Sequence, residues 1–358
     1  MSIFLSCGEA SGDTLIADLA RGLRRQGYTG ILWGMAGERS RAAGVRLRWS
    51  SSELQIMGIS QAAAALPRLW CLADQMVSEV LRRRPRAVVV ADSPDFHIPL
   101  VRRLRRKGYA GKVFFLSPPT VWAWRRRRVV PLRQLFDMCL PLFGFEHRFL
   151  QDHGVPTAWV GHPMVGRSLP KRAADPHGVA LLPGSRHSEI SRLLPVLRSL
   201  AERLADGGWS PVFSLADNVQ GVFRAQVLEA LAGWTVRCGD VPRLLAETSM
   251  AVGASGTVAV EAMIADRFMT VLYRGTPLEW VVYRAFVNLP FVSIPNVMAG
   301  RMVYPELLQD RCTVPAILRA LAEYTRCPEP VHRSLSICRR QMGRSGASEF
   351  WASLVLTP

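Results

Sequence analysis

The apolar positions of this chain fall into two series, each alternating short continuous runs with amphipathic stretches. Residues 3–7 form an apolar run that ends at the polar turn Gly8-Glu9-Ala10-Ser11-Gly12-Asp13. A period of 3.6 follows, with Leu15, Ile16, Leu19, Ala20 and Leu23 on one face and Arg21, Arg24 and Arg25 off it, which predicts a helix. Residues 87–91 (AVVVA) are continuously apolar and rich in β-branched side chains, the pattern of a parallel strand covered on both faces, and residues 113–116 read the same way. The series restarts with a strand at 178–182, the turn Pro183-Gly184-Ser185-Arg186 and a helix over 188–204. A strand at 250–253, the turn Ala254-Ser255-Gly256-Thr257, a helix carrying Val260 and Glu261, and a strand at 268–273 follow. Two successive sets of βα units predict an α/β protein of two doubly wound, Rossmann-like domains facing a cleft. Their boundary is expected in the Pro/Gly/basic stretch 161–176, with a ligand bound between the domains near the carboxyl ends of the strands.

Composition agrees with two domains. The chain has 358 residues, of which 49% are hydrophobic and 20% charged, which supports a substantial core and excludes a disordered protein. The formal net charge of +17 is the unusual feature, and nearly all of it is arginine, since Lys107, Lys112 and Lys171 are the only lysines. Residues 1–163 hold 24 Lys/Arg against 12 Asp/Glu, so most of the surplus lies in the first half. Such a surplus points to nucleic acid, anionic lipid or a phosphorylated substrate. The seven cysteines are odd in number, contain no CxxC pair and lack zinc-ligand spacing, as in a reduced intracellular chain. The N-terminus lacks a basic n-region and does not read as a signal peptide. The most apolar long stretches, 129–145 and 278–295, are interrupted by Arg133, Asp137 and Arg284, so no membrane span is expected.

Several turns carry candidate chemistry. Gly8–Asp13 follows a strand and opens a helix, where unbonded N–H groups favour an anion or polar ligand; Ser11 or Asp13 could equally cap that helix. Asp92, the first polar residue after AVVVA, is placed to act as a general base on a hydroxyl, or else Asp92 or Asp95 caps the following helix. Trp122 and Trp124 stand beside the four arginines 125–128, a pairing that suits nucleic-acid bases or an anionic membrane surface, or else a solvated basic helix start with a core tryptophan, and no nucleic-acid-binding signature accompanies it. Pro183-Gly184-Ser185-Arg186 is a better phosphate site, combining a helix start with a guanidinium capable of bidentate contact. Ser255-Gly256-Thr257 repeats that logic, and Glu261, one turn in, is placed to accept from ribose hydroxyls. Each turn alone reads as readily as ordinary helix capping; together they suggest a nucleoside diphosphate. His162 reads as structural at the boundary; no ligand spacing supports a metal and no GxSxG elbow supports a hydrolase.

The ensemble resembles the lipid A disaccharide synthases, inverting glycosyltransferases of the GT-B type. The matching blocks are GEASGD (8–13), IMG (56–58), DSPDF (92–96), SPPTVWAWR (117–125), VGHP (160–163), LLPGSRHSEI (181–190), ASGTVAVEA (254–262), IPNVMAGR (294–301) and ELLQ (306–309), in the family's order over nearly the whole chain. The resemblance implies transfer of 2,3-diacylglucosamine from its UDP donor to the 6-hydroxyl of 2,3-diacylglucosamine 1-phosphate, giving a β-1,6 disaccharide 1-phosphate and UDP, with no cofactor and no metal. It implies an acceptor-side domain over 1–165, a UDP-sugar domain over 166–335 and a C-terminal helix within 336–358 packing back on the first. In this reading Asp92 is the base, with Asp95 the alternative, and Arg186 stabilises departing UDP. Ser185, Ser255, Gly256, Thr257, Glu261, Asn296 and Gln309 hold the donor. Glu9, Ser11, Asp95, Trp122 and Arg125 lie on the acceptor side.

Three positions depart from the family pattern: His97 replaces an Asn, Gly144-Phe145-Glu146 replaces a Pro-Phe-Glu block, and the glycine-rich block near Gly34 is loose. They bear on acceptor-side detail more than on the reaction. The expected location is cytoplasmic and peripheral, on the inner face of the inner membrane, held by the Arg/Trp-rich first domain, with Trp122 and Trp124 at the lipid surface. No nucleic-acid partner is expected, and a homodimer is one permitted assembly. The competing readings are a UDP-sugar 2-epimerase or another lipid glycosyltransferase of the same fold and, more remotely, a non-enzymatic basic protein binding lipid or nucleic acid.

Overall fold

The computed structural model describes residues 1–54, 59–166, 174–277, 280–281 and 289–357, with side chains from residue 66 onward in the helix that starts at Ile59. The IMG block at 56–58, much of the apolar run 278–295 and part of the stretch 161–176 lie outside the described residues. The chain divides into two compact units, Met1–Gly166 with Met342–Pro358, and Arg167–Gln341.

The first unit begins with β1 (Ser2–Cys7), α1 (Ala10–Arg25), β2 (Ile31–Ala36), α2 (Glu38–Ala42) and β3 (Arg46–Ser50). It continues with α3 (Ile59–Arg83), β4 (Ala87–Ala91), α4 (Pro94–Arg106), β5 (Lys112–Leu116), α5 (Val129–Leu135), β6 (Met138–Leu140) and α6 (Gly144–Asp152). All neighbouring strands pair in parallel, in the order β3-β2-β1-β4-β5-β6, the doubly wound order with its reversal between β1 and β4.

The unbroken apolar runs follow from helices on both faces. Along β1 and β4 the side chains alternate. Phe4, Val88 and Val90 join the core with α3 and α4, while Ile3, Leu5, Ala87 and Val89 join the core with α1. The expected apolar face of α1 is buried throughout, and Arg21, Arg24 and Arg25 are exposed.

The second unit repeats the plan. It contains β7 (Asp175–Leu182), α7 (His187–Asp206), β8 (Ser210–Leu215), α8 (Gly221–Ala230), β9 (Thr235–Cys238), α9 (Val241–Glu247) and β10 (Thr248–Ala254). Then come α10 (Thr257–Ile264), β11 (Phe268–Tyr273), α11 (Ile294–Ala299), β12 (Glu306–Leu308), α12 (Val314–Arg326) and α13 (Glu329–Arg340). Its strand order, β12-β11-β10-β7-β8-β9, is the same topology, with the reversal between β7 and β10. No helix among the described residues is long and apolar enough to cross a membrane.

The last helix, α14 (Ala347–Leu356), belongs to the first unit, where Trp351, Ala352 and Val355 join the core beside α1. Gly22 of α1 makes this approach feasible, since a Cβ there would stand 2.3 Å from the Ser348 carbonyl oxygen. Trp351→Ala is therefore expected to destabilise the first unit by about 3–5 kcal/mol, the cost of emptying a buried aromatic site, measured by urea unfolding.

Candidate active site

In a doubly wound sheet, ligands bind at the carboxyl ends of the strands beside the reversal of strand order. In the first unit that point lies between the turn after β1 and the turn after β4, and the two turns are hydrogen-bonded through one side chain. Asp92 Oδ1 accepts from the Gly8 amide at 2.8 Å and Oδ2 from the Glu9 amide at 3.1 Å. The approach is so close that a Cβ on Gly12 would lie 1.7 Å from Asp92 Oδ2, and one on Gly8 would lie 2.3 Å from Ser93 Oγ. Both glycines of the GEASGD block are thus needed for clearance.

Asp92 and Ser93 both have left-handed backbone, with φ of 50° and 41°, a conformation that non-glycine residues hold only when their surroundings impose it. Burial pushes the Asp92 carboxyl up to about 7, although the Ser93 hydroxyl and the two amides favour its ionised form. His97, fully buried, lies behind this turn: its Nδ1 is 2.9 Å from the Asp92 carbonyl oxygen and its Nε2 2.8 Å from Ser6 Oγ.

The rest of the DSPDF and SPPTVWAWR blocks meets at Asp95. This carboxylate is 74% exposed and pairs with Arg125 at 3.1 Å and with Arg128. The Arg125 guanidinium in turn lies 4.3 Å from the centre of the Trp124 ring. Trp122 turns inward: its Nε1 donates to Glu146 Oε1 at 3.0 Å and its ring stands edge-on to Phe145. Glu146 Oε2 accepts from the Leu142 and Phe143 amides at 3.2 and 3.3 Å, and burial pushes its carboxyl up to about 7. Trp122 and Trp124 accordingly do not form the exposed aromatic surface expected of them. Trp122 is committed to a buried carboxyl, and Trp124 lies under arginine. Glu9 and Ser11 are exposed at the start of α1, beside Asp92.

Asp13, the last residue of GEASGD, serves structure. Its carboxylate accepts from the amides of Gly37, Arg39 and Ser40 and from the Ser40 hydroxyl, tying α1 to the start of α2.

In the second unit the turns after β7 and β10 are neighbours, because these strands pair with Gly253 opposite Leu182. Ser185 and Arg186 occupy the first turn; Ser255, Gly256 and Thr257 occupy the second, where Gly256 and Thr257 are exposed. Glu261 sits half-buried one turn into α10. The start of α7 carries an ordinary cap, the alternative that the sequence allowed beside a phosphate site. Glu189 Oε2 accepts from the Ser185 and Arg186 amides at 3.2 and 3.3 Å, and its Oε1 holds the Arg186 guanidinium at 3.0 Å. Gln309 follows β12 with a φ of 52°; its Oε1 accepts from the Gly275 amide at 3.2 Å, and its buried Nε2 has no partner among the described residues.

Asn296, expected on the donor side, has a bracing role in the structure. It is wholly buried and its side chain is saturated: Oδ1 accepts from the Val303 and Tyr304 amides at 2.7 and 2.8 Å, and Nδ2 donates to the Tyr304 carbonyl and to Glu306 Oε1 at 2.7 and 2.8 Å. Glu306 accepts further from the Val292 amide and from the amide and hydroxyl of Ser293. The IPNVMAGR and ELLQ blocks therefore brace each other, ahead of Gln309. Glu306 is a structural brace that the motif blocks alone do not single out. The available signal was a carboxylate opening an otherwise apolar strand.

Two parallel sheets of one repeated strand order, each with its polar turns at the carboxyl ends, define a two-domain glycosyltransferase fold of the GT-B class. Solved structures agree at the level of fold. A UDP-GlcNAc 2-epimerase from Methanocaldococcus jannaschii superposes with a TM-score of 0.64 at 11% identity, covering 99% of both chains. The glycotransferase of kitacinnamycin gives 0.64 at 17% identity, covering 99% of this chain and 97% of its own. A family model described as lipid-A-disaccharide synthetase matches residues 3–333. The lipid-A-disaccharide synthase of Azotobacter vinelandii is 36% identical over 97% of this chain and 96% of its own, and that of Solibacter usitatus 33% identical over 96% and 94%. The chain belongs to the lipid-A-disaccharide synthase family and is a glycosyltransferase of lipid A biosynthesis. The epimerase alternative is not favoured, since that likeness is one of fold.

The bracing role of Asn296 has a measurable consequence. Asn296→Ala is expected to cost at least about 2 kcal/mol in urea unfolding, because buried groups left without partners cost about 1–3 kcal/mol each. A residue that only lined a donor pocket would raise the donor KM at unchanged stability.

Proposed function

We propose that this enzyme transfers 2,3-diacylglucosamine from its UDP donor to the 6-hydroxyl of 2,3-diacylglucosamine 1-phosphate, with inversion at the anomeric carbon and Asp92 as the base. Asp92 takes the hydroxyl proton as the acceptor oxygen attacks the anomeric carbon. The bond from that carbon to UDP breaks, and UDP leaves with the electron pair. The observation that supports Asp92 over Asp95 is the contrast in their surroundings. Asp92 is half-buried just beyond β4 with its carboxyl raised to about 7, close to the optimum for a base at neutral pH. Asp95 is exposed and engaged by two guanidinium groups.

On the donor side, the exposed turn Ser255-Gly256-Thr257 opens α10 and receives the diphosphate, Glu261 the ribose, and Gln309 a polar group of the donor through its unpartnered Nε2. Arg186 stabilises the leaving group by exchanging its contact with Glu189 for phosphate oxygen, a charge-assisted pairing of the same geometry. Ser185 contributes at the same turn. On the acceptor side, Glu9 and Ser11 flank Asp92, and Arg125 neutralises the acceptor phosphate.

The direct test mixes the purified protein with UDP-2,3-diacylglucosamine and 2,3-diacylglucosamine 1-phosphate and looks for the tetraacyl disaccharide 1-phosphate by mass spectrometry. Folded protein that yields none overturns the proposal. Asp92→Asn is expected to lower kcat by about 10²–10⁴, the usual contribution of a general base. The base works ionised and its carboxyl sits at about 7. Wild-type turnover should therefore fall as pH drops through about 7 and level off above it, and this acid limb should be lost in the residual activity of Asp92→Asn. A limb unchanged by the substitution would reassign it, Glu146 being the other carboxyl held at about 7.

We also propose that the first unit binds an anionic membrane surface through α3 and α4. Leu66 and Trp70 are 52% and 60% exposed, and the Arg103 guanidinium lies 4.4 Å from the centre of the Trp70 ring. Each basic residue near such a surface contributes about 1 kcal/mol, so a few arginines beside one aromatic suffice for peripheral binding. Co-sedimentation with phosphatidylglycerol vesicles should exceed that with phosphatidylcholine, fall with salt and weaken in Trp70→Ser; indifference to both lipid charge and salt would refute it.

A further inference from the structure

The grip on Asp92 has a second half that the reaction scheme above does not use. The side chain of Asp92 is held by the amides after β1, while its main-chain carbonyl is held by the imidazole of His97. A carbonyl oxygen only accepts, so Nδ1 of His97 carries the proton and donates. Burial lowers the ring's basicity to a pKa of about 4, so it is neutral at physiological pH and Nε2 is an acceptor. Ser6 Oγ, 2.8 Å away, must then be the donor to Nε2. The order is fixed: the Ser6 hydroxyl donates to His97, and His97 donates to the Asp92 carbonyl.

Both ends of this arrangement rest on one strand. Ser6 shares with Phe4 the face of β1 that looks toward α4, and Gly8 and Glu9 come directly after β1. The residue gripped between them is in left-handed backbone, as is Ser93 after it. The direction of the Asp92 carboxylate depends on the orientation of the 92–93 peptide, which the bond from His97 sets. A neutral donor achieves this without placing a positive charge beside the carboxylate.

We propose that His97 is a positioning residue for Asp92, holding the turn after β4 in the one conformation that aims the carboxylate at the acceptor hydroxyl, with Ser6 as its anchor on β1. This rests on Asp92 being the base.

The test compares three substitutions with Asp92→Asn run alongside. Asn places its Nδ2 where histidine has Nδ1 and keeps the bond to the carbonyl; Gln places its amide nearer the position of Nε2 and loses it; Leu fills the space with neither. His97→Asn should retain kcat within a few fold. His97→Gln and His97→Leu should lower it by about 10²-fold with little change in either KM, the scale associated with a misplaced catalytic group. Thermal unfolding of each variant separates this from loss of folded protein, and if His97→Leu does not fold, the Gln and Asn pair decides. Equal kcat in His97→Gln and His97→Asn, whether both high or both low, overturns the proposal, since a core-filling role ignores which nitrogen is kept. If Asp92→Asn itself keeps wild-type turnover, the base assignment fails first.

Discussion

The carboxylate of Asp92, set into the amides that open α1, is the interaction on which the first unit's candidate site depends. It joins the turns after β1 and β4, the adjacent strands where the winding of the sheet reverses. The contact requires two glycines without side chains, two consecutive residues in left-handed backbone and a buried histidine behind them. Each of these is costly or unusual alone. Together they hold an ionisable group in a fixed, half-buried position where desolvation raises its basicity. That is the state in which a carboxylate serves as a base near neutral pH.

The same device recurs with a different outcome elsewhere. Asp13 ties α1 to α2, Glu146 holds Trp122 and the start of α6, Glu189 closes the start of α7, and Glu306 gathers the loop around α11. These carboxylates accept from backbone amides that would otherwise be buried or exposed without partners. Four of the 28 acidic residues thus serve local architecture in this way. Asp92 differs in its place, beside the reversal of strand order, where the fold brings a ligand.

Much of the fold was legible in the sequence because parallel strands covered on both faces give unbroken apolar runs. The runs at 3–7, 87–91 and 268–273 became β1, β4 and β11 within a residue at either end. Strands such as β3, Arg46–Ser50, with alternating exposure at a sheet edge, gave no comparable signal. The turns after strands were legible as places where chemistry gathers, since glycine, serine and charge concentrate there. What each polar side chain does in those turns was not. Asn296, placed on the donor side by the family resemblance, is a saturated brace; the start of α7, open between anion site and plain cap, holds Glu189; and Trp122, open between surface anchor and core residue, turns to Glu146.

The sequence by itself determined the two sets of βα units, the positions of the polar turns at strand ends, and membership of the synthase family through the order of its motif blocks. These are properties of periodicity and local composition, which survive in one dimension. Only the tertiary structure decided which carboxylate is half-buried against backbone amides and which is exposed and paired with arginine, and which tryptophan is exposed. It also revealed that His97, Ser6 and Asp92 form one chain of hydrogen bonds across 91 positions of sequence. Solvation and hydrogen bonding are set by neighbours brought together in space, and it is they that give otherwise similar residues different chemistry.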